Sequence, residues 1–166
     1  MADMLVNLYN LPPLIESVEL SAGSVRVVRA HPADARRVLR FVEANVAEHW
    51  PDESADNWLG ETTAALANHP PTVFVAVRER SVVGFACYDA TAKGYFGPTG
   101  VTTTLQRTGI GRALLLCALH AMRGDGYGYA VIGWPAAEAV GFYEHTVDAW
   151  QIPASGPDIY ERLINS

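Results

Sequence analysis

The stretch Gln106-Arg107-Thr108-Gly109-Ile110-Gly111 separates a strand-like run at residues 95–102 from an apolar helical segment at residues 112–123. The sequence thus predicts a strand, a glycine-containing turn and a helix N-terminus in succession. The first turn of a helix carries backbone N–H groups without an intrahelical partner, and the macrodipole adds partial positive charge there. Since Gly109 and Gly111 carry no Cβ, the backbone can come close to a ligand. The turn is therefore predicted to bind phosphate or pyrophosphate.

Two common phosphate-binding motifs do not fit this turn. The dinucleotide fingerprint Gly-x-Gly-x-x-Gly needs a third glycine where this chain has Leu114. The P-loop needs a lysine followed by serine or threonine, and the turn contains no lysine. A nucleotide-binding module is therefore disfavoured. The pattern that does fit is Gln/Arg-x-x-Gly-x-Gly/Ala, from Gln106 to Gly111, with a helix directly after it.

A second segment, Ala139-Val140-Gly141-Phe142-Tyr143-Glu144, follows a predicted buried strand at residues 129–133 and contains an aromatic residue next to a tyrosine. Together with the glycine turn, it resembles the GNAT superfamily of acyl-CoA N-acyltransferases. The segment Val82-Val83-Gly84-Phe85-Ala86 is similar to the third strand of that family. From Val25 onward, the predicted elements follow the family's order.

The resemblance implies a mixed α/β (α+β) fold of the GNAT type. A central mixed, mostly antiparallel sheet would carry helices on both faces. The family's fourth and fifth strands, here residues 95–102 and 129–133, would splay apart. Residues 1–166 are predicted to form a single acyl-CoA N-acyltransferase domain, with residues 1–20 as an N-terminal extension of uncertain structure.

Local patterns predict the remaining elements. Val38, Leu39, Val42 and Val46 recur at helical spacing, and a second helix is predicted after Ser54 as its N-cap. A hairpin is predicted from residues 72–77 and 82–89, a helix at residues 136–145 and a strand near Ile159. Because Pro98 removes a ladder donor, a bulge is expected within residues 95–102.

Composition narrows the class of protein. Hydrophobic residues make up 49% and charged residues 18% of the 166 residues, which indicates a globular chain rather than a disordered one. The net charge of −6 disfavours nonspecific binding of nucleic acid, which needs a basic face. Cys87 and Cys117 are predicted to be buried small hydrophobes, with no metal or disulfide pattern. No signal peptide or membrane segment is recognised, so a cytoplasmic protein is expected.

The resemblance also implies a binding site for acetyl-CoA as acyl donor. The strand before the turn would pair with the pantetheine arm, the turn and first helical residues would hold the pyrophosphate, and Val101 would polarise the thioester carbonyl. The implied donor-binding residues are Gly100, Val101, Thr102, Gln106, Arg107, Thr108, Gly109, Ile110, Gly111 and Arg112.

Tyr143 is implied to be the catalytic general acid. Acyl transfer from a thioester to an amine must handle protons at both ends. An alkylammonium with a pKa near 10.4 is mostly protonated at pH 7, so reaching the free amine costs about 4.6 kcal/mol. The departing thiolate, with a pKa near 8.5, benefits from a positioned acid. A tyrosine with a pKa of about 10 keeps its proton at pH 7 and can donate it.

Three features depart from the family's usual pattern. Many members have glycine where this chain has Arg107 and asparagine where it has Ala136. No carboxylate lies within residues 95–102, where several members place a general base. Acidic residues and a histidine instead cluster around the first inter-helix loop, which often shapes the acceptor pocket in this family: Glu43, Glu48, His49, Asp52 and Glu53. Trp50, Trp58 and Trp134 are further candidates for that pocket, although core packing is favoured for Trp58.

The implied function is an acetyl-CoA-dependent N-acetyltransferase that transfers the acetyl group directly to the amine of a small-molecule acceptor, without a metal. A homodimer is compatible with the sequence. The alternative is a noncatalytic acetyl-CoA-binding module that serves as a sensor or partner domain.

Overall fold

The computed structural model describes residues 2–53, 55–156 and 159–164. Within them, eight strands and four α-helices form the fold. The strands are β1 (Met4–Asn7), β2 (Ser17–Leu20), β3 (Gly23–Arg29), β4 (Val73–Arg78), β5 (Ser81–Tyr88), β6 (Tyr95–Val101), β7 (Tyr129–Ile132) and β8 (Trp150–Gln151). The helices are α1 (Ala35–His49), α2 (Asp56–Leu66), α3 (Ile110–Gly124) and α4 (Val140–Val147).

All eight strands of the described residues belong to one sheet, in the order β2-β3-β4-β5-β6-β7-β1-β8. Each neighbouring pair is antiparallel except β6 and β7, which are parallel. The mixed, mostly antiparallel sheet predicted from the sequence is confirmed.

The parallel pair β6–β7 separates soon after it forms. Its register joins Tyr95 to Val131 and Phe96 to Ile132, and no later residue of β6 pairs with β7 in the described chain. Directly after Phe96, the register between β6 and β5 shifts, with Gly97 at φ +117°. This irregularity is the predicted bulge, because two residues of β6 lie opposite one residue of β5. The two strands therefore splay and leave a cleft beside the C-terminal half of β6.

Two hydrophobic clusters, one on each side of the sheet, hold the helices. α3 contributes nine buried residues to the larger cluster, among them Ile110, Leu114 and Met122. α1 and α2 pack with Phe85 and Cys87 in the second cluster. α1 buries positions spaced three and four residues apart, as an amphipathic helix on a sheet requires. Helices thus cover both faces, as predicted, and both cysteines are buried free thiols.

The chain ends differ from the sequence expectations. Residues 1–20 were expected to be an extension, yet β1 lies inside the sheet between β7 and β8, and β2 pairs with β3. The predicted strand near Ile159 is wrong, because Ile159–Arg162 form a 3-10 helix. The predicted helix at residues 136–145 begins later, at Val140, after a 3-10 turn. The predicted N-cap Ser54 lies outside the described residues.

Among the described residues, no helix combines the length and the apolar character needed to cross a bilayer.

Candidate functional site

The free edge of β6 forms one wall of the cleft. The Thr102 N–H donates to the Val83 carbonyl at 3.0 Å, so the backbone of Thr102 faces β5. Backbone groups of an antiparallel pair alternate in direction, which turns those of Gly100 toward β5 as well and those of Val101 away from it. The Val101 carbonyl accepts a hydrogen bond from the Gln106 side chain at 3.4 Å. Val101 is thus the predicted strand residue whose backbone faces the cleft.

The turn after β6 ends in a set of unpaired N–H groups. Gly109 is the N-cap of α3 with φ +95°, a left-handed conformation that favours glycine. The first helical hydrogen bond runs from the Ala113 N–H to the Gly109 carbonyl at 3.0 Å. Within the described chain, no acceptor bonds the N–H groups of Ile110, Gly111 and Arg112. These three donors are available to an anion at the positive end of the α3 dipole.

Gly111 leaves open space at this helix start. A Cβ built on Gly111 would meet nothing closer than Phe142 and Val101, each 3.9 Å away. The Thr108 hydroxyl donates to the Leu105 carbonyl at 2.6 Å, and this hydrogen bond stabilises the turn. A phosphate group can therefore approach the backbone here without displacing a side chain, which fits a pyrophosphate.

Arg107 has the backbone conformation that the family's glycine would favour. Its φ is +61°, in the left-handed region, where a non-glycine residue costs about 1–2 kcal/mol. Arg107 and Arg112 are both exposed beside the unpaired N–H groups. The arginine therefore keeps the family's turn and adds a positive charge next to it.

The C-terminal turn of α1 contacts this loop, which the sequence did not predict. His49 Nε2 lies 2.5 Å from Gln106 Nε2, and the Glu48 carboxylate accepts from the Thr103 N–H at 3.3 Å. Both residues were assigned to the acceptor side from their place in the first inter-helix loop. No local signal could reveal these contacts, because they join residues 55 and 57 positions apart.

Tyr143 lies at the closed end of the cleft. Its ring centroid is 6.2 Å from that of Phe96, the last residue of β6 that pairs with β7, and 5.2 Å from that of Phe142. Burial raises the pKa of the Tyr143 hydroxyl, since the charged form would lose its solvation. Among the described residues, no partner bonds this hydroxyl. Tyr143 therefore keeps its proton and has it free to donate.

Asn45 of α1 packs directly over Gly100 of β6. A Cβ at Gly100 would overlap Asn45 Oδ1 and lie 3.2 Å from the Phe85 ring. Asn45 is 2% exposed, and neither its Oδ1 nor its Nδ2 has a hydrogen-bond partner. Its position on the buried stripe with Val42 and Val46 was the signal available in the sequence.

The three candidate tryptophans have different surroundings. Trp58 packs against Trp50 at 5.1 Å and Phe85 at 6.0 Å between ring centroids, which confirms core packing for Trp58. Trp134, directly beyond β7, is 50% exposed and lies 5.5 Å from the Tyr160 ring. In the part of the chain that the structure describes, no group of three or more His, Cys, Asp or Glu side chains is arranged to hold a metal.

A family model decides the relationship of this chain to known proteins. The model described as the GNAT acetyltransferase family matches residues 35–147, well over half of the chain. The chain belongs to the GNAT acetyltransferase family. The matched region of this family member includes the cleft, the glycine-containing turn before α3 and Tyr143. Among curated protein sequences, no relative matches the chain.

Solved structures show the same fold. A GCN5-related N-acetyltransferase from Sphaerobacter thermophilus is 21% identical with a TM-score of 0.59, and the match covers 97% of this chain and 46% of that one. A GNAT family acetyltransferase from Brucella melitensis in complex with acetyl-CoA is 22% identical with a TM-score of 0.56, over 71% of this chain and 80% of that one.

An aminoglycoside acetyltransferase from an uncultured soil metagenomic sample, in complex with trehalose, is 20% identical with a TM-score of 0.51. That match covers 74% of this chain and 86% of the other. At these identities the likeness establishes the GNAT fold. This chain spans less than half the length of several similar structures, as with the Sphaerobacter protein.

Proposed function

We propose that this GNAT protein is an acetyl-CoA-dependent N-acetyltransferase that transfers the acetyl group directly to the amine of a small molecule. One observation carries the proposal: the cleft between β6 and β7 runs from the anion-binding start of α3 to the buried hydroxyl of Tyr143. A thioester with a pyrophosphate at one end and a leaving sulfur at the other matches that arrangement. Family membership and the acetyl-CoA complex of the Brucella relative support the donor.

The donor's pyrophosphate is assigned to the turn and the start of α3. The N–H groups of Ile110, Gly111 and Arg112 would donate to its oxygens, with the charges of Arg107 and Arg112 nearby. The pantetheine arm would lie along the free edge of β6, where the Val101 backbone offers an N–H and a carbonyl. Gly100 and Thr102 would position that edge, since their backbone groups face β5.

In the proposed reaction, the neutral amine nitrogen attacks the thioester carbon. A carbon–nitrogen bond forms, the carbon–sulfur bond breaks, and the thiolate takes a proton from Tyr143. The Val101 N–H would stabilise the negative charge that develops on the carbonyl oxygen. The amine's surplus proton leaves to solvent or to a base, and Tyr143 regains a proton from the same pool.

Burial changes how readily Tyr143 can act as a general acid. A hydroxyl whose pKa is raised stays protonated across the neutral range, but it releases its proton less readily than an exposed phenol. Its strongest contribution is therefore a hydrogen bond to the sulfur as negative charge builds up there. The proton itself is transferred late, when the carbon–sulfur bond is nearly broken. This interaction belongs to the transition state more than to the bound substrate.

Incubation with acetyl-CoA and a panel of amines tests the proposal. Amino sugars, polyamines, amino acids and arylalkylamines are supplied in turn, while thiol release and the mass of the acceptor are followed together. We expect thiol release to match an acceptor mass increase of one acetyl group. Tight acetyl-CoA binding without acetylation of any amine would favour the noncatalytic acetyl-CoA-binding module instead.

The proposal includes a cytoplasmic location, which the free thiols of Cys87 and Cys117 support because disulfides are rare in reducing compartments. Formation of a homodimer stays a prediction that light scattering of the purified protein can test.

A further inference from the structure

A cavity of about 390 Å³ lies between α2, the turn that follows β5, and the C-terminal 3-10 helix Ile159–Arg162. Its walls include Gly60, Glu61 and Ala64 of α2, Thr91 of the turn, and Tyr160 and Arg162 of the 3-10 helix. The volume is at the lower end of the range for small-molecule pockets, roughly 300–1,000 Å³. Small side chains at Gly60 and Ala64 keep the α2 wall open.

Tyr160 connects this cavity to the closed end of the acyl-donor cleft. Its hydroxyl donates to Glu61 Oε1 at 3.0 Å, and its ring lies 5.5 Å from that of Trp134. Trp134 comes two residues after Ile132, where β6 and β7 separate. Gly133 between them lies against Tyr95, since a Cβ there would come within 3.0 Å of the Tyr95 ring. The cavity therefore adjoins the place where acyl transfer is proposed.

Glu61 places an incompletely hydrogen-bonded carboxylate beside the cavity. Its Oε1 accepts from the Thr91 hydroxyl at 2.5 Å and from the Tyr160 hydroxyl at 3.0 Å, which holds the carboxylate in one orientation. Its Oε2 is buried and has no partner. The carboxylate is poorly solvated, so its negative charge acts on the adjoining cavity with little screening, and a cation in the cavity gains more here than it would beside an exposed acid.

Arg162 supplies the opposite charge in the same cavity. Among the described residues, no ion pair joins Arg162 to Glu61, so the two charges do not neutralise each other directly. A ligand with only an ammonium group would meet the like charge of Arg162, and a ligand with only a carboxylate would meet that of Glu61. A small molecule that carries both groups matches both walls.

The geometry points to this cavity as the acceptor site, with a small amino acid or another amine that carries an anionic group as its ligand. Glu61 attracts the ammonium, Arg162 attracts the anionic group, and Tyr160, whose ring packs against Trp134, lies on the side toward the cleft. Glu61 acts here as a binding residue, and the inference rests on the proposed transfer to an amine.

Calorimetry without any acyl donor tests this site on the full chain. The probes are ω-amino acids from glycine to 6-aminohexanoate, each compared with the n-alkylamine and the alkanoate of matching length. We expect at least one amino acid to bind about tenfold or more tightly than its matched amine and its matched alkanoate. Absence of binding by every amino acid, or equal binding of amine and amino acid, would overturn the inference.

Variants that remove one charge test whether the amino acid binds in this cavity. Glu61→Gln keeps an acceptor for Thr91 and Tyr160 and should lower amino-acid affinity about tenfold or more, while Glu19→Gln, an exposed acid on β2, should not. Arg162→Met should remove the preference for amino acid over amine, whereas Arg36→Met on exposed α1 surface should keep it. Unchanged affinity in Glu61→Gln would overturn the inference.

Acetyl-CoA binding to wild type and Glu61→Gln is measured separately. Intact acetyl-CoA binding without amino-acid binding contradicts this inference alone, whereas failure of acetyl-CoA to bind contradicts the proposed function.

Discussion

Gln106 of the turn before α3 and His49 of α1 are joined side chain to side chain, with 2.5 Å between their Nε2 atoms. His49 Nδ1 lies 2.9 Å from the Asn45 carbonyl, which can only accept, so Nδ1 carries the proton. Nε2 of neutral His49 therefore accepts from the Gln106 amide. This assignment comes from the hydrogen-bond partners. The C-terminal end of α1 thus orients Gln106, which the sequence motif predicts to be part of the donor site.

Replacing His49 should weaken donor binding rather than acceptor binding. His49→Ala removes one hydrogen bond to Gln106, and the KM for acetyl-CoA should rise about two- to tenfold, as expected for about 0.5–1.5 kcal/mol. His49→Gln, which can still accept from Gln106, should recover much of the loss. Steady-state kinetics with each substrate varied in turn provide the measurement. A change confined to the acceptor KM would show that His49 belongs to the acceptor side.

Gly111→Val should block the proposed pyrophosphate position. The nearest protein atoms to a Cβ there are 3.9 Å away, so the variant should fold, while its branched side chain occupies the space that the ligand needs. Acetyl-CoA affinity should fall about tenfold or more by calorimetry, equivalent to about 1.4 kcal/mol. Gly124→Val is the control at the opposite end of α3, where a Cβ meets nothing within 4 Å. Equal affinities for the folded Gly111 variant and wild type would disprove the assignment of the turn.

Tyr143→Phe should slow turnover and leave donor affinity nearly unchanged. The ring and its contacts with Phe96 and Phe142 remain, and only the hydroxyl is lost. General-acid contributions are typically ~10²–10⁴-fold, so kcat should fall within that range when chemistry is rate-limiting. The loss should shrink for an acyl donor with a more acidic thiol, because that leaving group needs less help. Undiminished kcat under rate-limiting chemistry would exclude Tyr143 as the acid.

The buried thiols should make the protein less stable in alkaline solution. Burial raises the pKa of Cys87 to about 12 and that of Cys117 to about 11, each from a reference of 9.0. Above about pH 9, the unfolded chain releases these protons while the folded chain keeps them, so rising pH favours unfolding. The free energy of unfolding should be nearly constant to about pH 8.5 and then fall by up to about 1.4 kcal/mol per pH unit for each thiol.

Urea unfolding at pH 8 to pH 10 under reducing conditions measures this dependence. Cys87→Ala removes one raised thiol and leaves Cys117 and the raised tyrosines Tyr88, Tyr127 and Tyr143, so the slope between pH 9 and pH 10 should be shallower than that of wild type by ~1 kcal/mol per pH unit, whatever the change in stability at pH 8. Equal slopes in the two proteins would mean that Cys87 does not hold its proton as tightly as its burial implies.

The sequence by itself predicted the features that depend on neighbouring residues. Gly109 and Gly111 mark the turn because backbone conformation is a local property, and the apolar spacing of α3 and the bulge near Pro98 are local for the same reason. The aromatic pair at Tyr143 follows β7 within a dozen residues, so its motif was visible as well. These features were sufficient for the fold class and the family.

Contacts between segments distant in the sequence could be identified only from the folded structure. The pairs His49–Gln106 and Tyr160–Glu61 join residues 57 and 99 positions apart, and no periodicity in either segment encodes the other. β1 has four residues and β8 has two, too few for a clear pattern, and each becomes a strand because neighbouring strands of the sheet supply its hydrogen-bond partners. Local preference determines which elements form, whereas the packing of helices and edges against one sheet determines which side chains meet at the site.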